Sequence, residues 1–188
     1  MCRASRVFSI AVGLLGLASC VMTEQPLSDG ESSRVDERLV GAWREVVPPG
    51  EPREGATLEF GRAEDEKNAM RIVRRVANED PRTYTTYVRP GNPPVLSIGL
   101  EDDAGKVSWL PMRYALDEHG DLKLAGLDRK LFCPAVAEGK LRGAANKNDA
   151  GECVSVTLAA PPDDVLKFIE QHPDAAWAEP VTYRRVEQ

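Results

Sequence analysis

Apolar residues in this chain recur at every second position, in runs too short for a helix. Leu58 and Phe60 alternate with Glu59 and Gly61, behind Ala56. Leu96, Ile98 and Leu100 alternate with small or polar residues, and Val154, Val156 and Leu158 alternate with Ser155 and Thr157. A period of two marks a strand with one face buried. Leu39, Gly41, Trp43 and Val47 share one face of another such run, with Glu45 the exception. Arg82–Arg89 is rich in Thr, Tyr and Val, and shorter runs follow at 106–109, 114–116, 122–124 and 181–186. Between them stand Pro48-Pro49-Gly50, Asp102-Asp103-Ala104-Gly105 and Asp117-Glu118-His119-Gly120, which are turn sequences. The pattern predicts a mainly β chain.

Two stretches depart from simple alternation. Val107 and Trp109 lie on one face, whereas Met112, Tyr114 and Leu116 lie on the other, with Pro111 between. That change of parity predicts a bulge or an edge bend. Glu64–Asn78 fits a helical face through Met70, Val73, Val76 and Ala77, and a strand through Met70, Ile72 and Val76. Strands on both sides favour the strand. One helix is clear near the C-terminus. Pro161-Pro162-Asp163 predicts a rigid approach and a capping carboxylate, Val165, Leu166, Phe168 and Ile169 an apolar face, and His172-Pro173 a stop.

Many consecutive short strands hide their edges most economically by closing on themselves. The expected fold is an antiparallel meander closing into a barrel over residues 38–188, with one C-terminal helix. Gly41-Ala42-Trp43, at the start of the first barrel strand, resembles the lipocalin signature. The resemblance implies that Trp43 closes the base of the barrel beneath a stacked arginine. Arg184 or Arg185 is the expected partner, through attraction of a guanidinium to the indole face.

The N-terminus carries an address. Arg3 and Arg6 precede an apolar run, Val7–Ala18, too short to span the ~30 Å hydrocarbon core of a bilayer. A charged start, a short apolar centre and small residues at the end form an export signal. Leu17-Ala18-Ser19-Cys20 then resembles the lipobox of bacterial lipoproteins. The resemblance implies removal of residues 1–19 and lipid on Cys20. It also implies a bacterial envelope location, by Val21 an outer membrane facing the periplasm, with a Gram-positive surface as the alternative. Residues 20–37, rich in Glu, Asp, Ser and Gly, are expected to be the lipidated cysteine and a flexible tether.

With Cys2 in the leader and Cys20 acylated, Cys133 and Cys153 remain. An oxidising compartment favours a disulfide between them, two separate buried thiols being the alternative. Neither has the C-x-x-C neighbour of a metal site. Without the leader, 22 basic residues face 30 acidic ones, a net charge of −8. That balance argues against nucleic-acid binding, which requires a basic face.

No catalytic residue, cofactor site or metal site is assigned. His119 falls in a turn and His172 at a helix end, and neither has a triad or a ligand cluster around it. Asp102-Asp103, Asp117 with Asp121, and Asp163-Asp164 lie where carboxylates serve local backbone bonds. The expected function is non-enzymatic: a membrane-tethered barrel that binds a small apolar ligand, or an interaction module for another envelope protein.

Overall fold

A computed structural model describes residues 21–187. Cys20 and the leader, with the cleavage and lipidation expected there, lie outside the described residues. In chain order the strands are β1 (Val21–Thr23), β2 (Gly41–Glu45), β3 (Thr57–Arg62), β4 (Ala69–Arg75), β5 (Arg82–Arg89), β6 (Val95–Glu101), β7 (Val107–Leu116), β8 (Leu122–Gly126), β9 (Gly143–Lys147), β10 (Cys153–Leu158) and β11 (Val181–Arg185). Helix α1 (Arg129–Ala137) separates β8 from β9, and α2 (Pro162–Gln171) separates β10 from β11.

Eight strands close an antiparallel barrel of lipocalin-like form. β2 to β8 pair in sequence, and β11 joins β8 to β2, with Tyr183 opposite both Leu122 and Glu45. The alternating residues meet inside. Trp43, Leu58, Phe60, Met70, Ile72, Leu96, Ile98, Leu110, Met112 and Leu124 form one buried core. Glu64–Asn78 resolves as strand β4, because β3 and β5 both need a partner along Ala69–Arg75.

β7 carries no bulge against β6: its register is unbroken from Glu101 opposite Val107 to Val95 opposite Arg113. The parity change has another cause. Leu110, Met112 and Tyr114 face the barrel core, while Trp109 lies outside and stacks on Tyr87 at 5.2 Å. The other edge of β7 pairs with β1 at Trp109 and with β8 from Met112 onward. Pro111 stands at that handover, where a missing N–H costs least.

A second core lies outside the barrel. β1 runs parallel to β10, β10 pairs antiparallel with β9, and both helices cover them. Val21, Leu27, Phe132, Val156, Val165, Phe168 and Trp177 fill this layer. The tether expected over residues 20–37 is corrected here: Val21 is 0% and Leu27 2% exposed. Ser33 donates to Asn68 O at 2.7 Å and accepts from Val88 N–H at 2.9 Å. The segment is polar in composition, yet its few apolar residues complete the outer core.

The expected disulfide is present. Cys133 of α1 bonds Cys153 of β10, with Cα atoms 6.3 Å apart. A register shift between Cys153 and Ser155 makes it fit. The shift turns Cys153 to the side of Val156 and Leu158, beneath α1, and leaves Val154 39% exposed. Val154 is therefore not an inward partner of Val156, as strict alternation predicts. Helix α2 also differs at its start: Pro161 is the N-cap, no side chain caps it, and Asp163 lies within the first turn.

Candidate functional site

The barrel has two chemically different ends. The segment before β2 closes one of them. Arg185 stacks on Trp43, its guanidinium carbon 4.3 Å from the ring centroid. The same guanidinium donates to Val40 O at 2.9 Å and to Arg38 O at 2.6 Å. Gly41 is what admits it: φ is +125°, and a Cβ there would stand 2.9 Å from Arg185 Nη1. Glycine alone meets both demands without strain. Arg184, the other arginine expected at this base, points elsewhere and pairs with Asp121 at 3.0 Å. Adjacent strand residues face opposite sides, so only one of the two can reach Trp43.

Beside that stack, the Tyr114 hydroxyl donates to Asp36 Oδ2 at 2.7 Å, and Arg38 Nη2 donates to the same oxygen at 2.7 Å. Hydrogen bonding from Arg38, then from Tyr114, holds the Asp36 carboxyl down at about 2. Burial, reinforced by Asp36, pushes the Tyr114 phenol up.

The opposite end lies under the β2–β3 connection (46–56) and the β4–β5 turn (76–81). Here the alternation that lines a barrel with apolar residues admits two charges. Glu45 is 6% exposed and Arg74 is 6% exposed. Glu45 Oε2 accepts from Ala56 N–H at 3.1 Å, and Oε1 lies 2.7 Å from Arg53 Nη2 without the alignment of a hydrogen bond. Arg74 Nη1 donates to Glu79 at 3.1 Å. Among the described residues four buried side-chain atoms have no hydrogen-bond partner: Glu45 Oε1, Arg74 Nε, Tyr84 Oη and Tyr183 Oη. Tyr183 faces Glu45 across the strands. Burial pushes its phenol up, and the Glu45 charge adds to that. Burial also raises Tyr84.

Leu58, Phe60, Ile72, Arg74, Tyr84, Ile98 and Leu124 enclose a cavity of about 10 Å³. That is the room of about one water molecule. The barrel is thus filled by its own side chains, with one gap at the polar end. Sequence reasoning found Glu45 only as an exception to the apolar pattern. It did not single out Arg74, although the strand parity of Met70, Ile72 and Val76 puts position 74, and not Arg71 or Arg75, on the inward face.

The remaining sequence candidates occupy local roles. Asp102 accepts from Ala104 and Lys106 N–H at 2.9 Å. Asp117 accepts from His119 N–H at 2.9 Å and Asp121 N–H at 3.0 Å. His119 has a side chain 78% exposed, and His172 Nδ1 lies 2.9 Å from Phe168 O. Among the described residues no three His, Cys, Asp or Glu side chains gather as a metal site, and no helix is long and apolar enough to cross a membrane. Comparison with protein-family models, with curated proteins and with solved structures finds no match.

Proposed function

We propose that this chain is an envelope lipoprotein whose barrel holds a small, largely apolar ligand at its polar mouth, without catalysing a reaction. One observation carries the ligand reading. A barrel that serves only as a scaffold gains nothing by burying an arginine and two phenols with donors unpaired, since each such group costs free energy. Departures from otherwise consistent packing concentrate at functional sites. The cavity beneath them is walled by Leu58, Phe60, Ile72, Ile98 and Leu124. The space admits about one water, so a larger ligand requires the 46–56 connection to lift. The lipobox-like Leu17–Cys20 supports anchoring, at an outer membrane facing the periplasm.

Two measurements test this. Mass spectrometry of protein extracted from native membranes should find an N-terminal, acylated Cys20. A retained leader or an unmodified thiol rejects the anchor. Titration of the full-length protein with the neutral fluorophore N-phenyl-1-naphthylamine should show saturable binding, and a purely linear signal rejects the ligand site. A second reading, a docking module for an envelope protein, is favoured by an exterior groove of about 510 Å³ between the helices, lined by Leu131, Pro134, Phe168 and His172.

A further inference from the structure

Among the described strands β9 alone has a single partner. The barrel strands pair on both sides, β1 lies between β7 and β10, and β10 lies between β1 and β9, where the outer sheet ends. Backbone parity says what that edge presents. Arg142 O accepts from Ala159 N–H, and Asn148 N–H donates to Glu152 O, both at 2.9 Å. Bonds alternate along an antiparallel pair, so the even-numbered residues of β9 bond β10. Gly143, Ala145 and Lys147 turn their N–H and C=O outward. Free edges are ordinarily guarded by proline or charge. Gly143, Ala144, Ala145 and Asn146 carry neither, and all but Ala145 are exposed. The edge is also where two acidic molecules repel least. The chain carries −6, yet 138–152 is neutral, with Lys140, Arg142 and Lys147 against Glu138, Asp149 and Glu152. Lys140 and Arg142 precede the strand, whereas Asp149 and Glu152 follow it. A copy running the opposite way therefore sets opposite charges together, and a parallel one sets like against like.

We infer that β9 pairs antiparallel with β9 of a second copy of this chain, about a two-fold axis at Ala145, so that the outer sheet runs on through both molecules. In that register Gly143 faces Lys147 and Ala144 faces Asn146, so each longer side chain meets a small one. The outward N–H and C=O groups of Gly143, Ala145 and Lys147 all find partners. Asp149 of one copy comes alongside Lys140 and Arg142 of the other. The contact uses the same patch twice, so it closes at a dimer. Five residues a side make a small interface, which sets the association at ~10–100 µM. The pairing is independent of what the barrel holds.

The test follows the full-length protein in density-matched detergent micelles from ~5 to ~500 µM by sedimentation equilibrium, with amide hydrogen exchange read by NMR. A dimer should appear as concentration rises. The Gly143, Ala145 and Lys147 amides should become protected with it, while Ala144 and Asn146 are protected throughout. Ala145→Pro removes an N–H that points away from β10, so it should keep the parent circular dichroism and weaken association ~10-fold or more. Asp149→Lys changes only an exposed turn and should weaken it ~2–5-fold, which keeps the proposal open to test if Ala145→Pro fails to fold. A chain still monomeric at ~500 µM overturns the proposal and leaves the edge to a strand of another protein. A dimer in which Gly143, Ala145 and Lys147 stay unprotected, or one indifferent to a folded Ala145→Pro, overturns the pairing at β9. A dimer indifferent to Asp149→Lys overturns the antiparallel register.

Discussion

Gly41, Trp43 and Arg185 behave as one unit, although 141 residues separate the last two. The glycine leaves the space, the indole supplies the face, and the guanidinium ties the stack to two carbonyls of the entering segment. Arg185→Ala should therefore cost about 1–2 kcal/mol in urea denaturation, from the lost stack and hydrogen bonds. Arg184→Ala removes a solvent-screened pair with Asp121 and should cost less than Arg185→Ala in the same assay. Asp36 sets an acid limit at the same end. Its folded value of about 2 lies below the ordinary 3.8, so its contribution is complete above that ordinary value. It is lost as pH falls from there toward 2. Melting followed by circular dichroism should show Asp36→Asn abolishing that part of the acid sensitivity, worth at most about 2 kcal/mol. Of these residues, Gly41 and Trp43 are legible as a motif. The choice between Arg184 and Arg185 is not, because it depends on which face of β11 meets the barrel interior.

Among the elements, the strands that alternate are legible and those that do not are missed. β9 is a small, polar edge strand, exposed at Gly143, Ala144, Asn146 and Lys147, and has no apolar face to announce it. Helix α1 contains Pro134, which interrupts the pattern a helix normally shows, yet Asp128 caps it by accepting from Lys130 N–H at 2.9 Å. β1 is the larger surprise, since Val21–Thr23, at the start of a segment expected to be a tether, becomes a strand once β10 and β7 stand on either side of it. Val21→Asp places an unpaired charge in the outer core and should cost about 3 kcal/mol. A tether would tolerate it without effect, so a guanidinium titration separates the two cases. The disulfide pins α1 to β10 across a separation of 20 residues. Replacing both cysteines by serine should lower stability by about 3 kcal/mol in the same assay, by the entropy released to the unfolded loop.

At the scale of the whole molecule, closure is the decisive act. β11 is the last strand among the described residues, and among them it alone joins β8 to β2. A chain ending before Val181 would leave both neighbours with open edges, Tyr183 missing from the interior and Arg185 missing from the base. It should lose its single cooperative unfolding transition and its near-ultraviolet dichroism.

The mainly β character, the late helix, the barrel and the pairing of Cys133 with Cys153 follow from local order along the chain. Periodicity, turn residues and cysteine count act over short distances or by elimination, so they survive without coordinates. The partners of the buried Glu45 and Arg74, the filled interior and the incorporation of Val21–Asp36 do not follow in that way. Each depends on which residues of distant strands are brought side by side, and a one-residue change of register would send every side chain of a strand to the opposite face. The polar mouth is made of residues from β2, β4, β5 and β11, and only the closed barrel brings them together.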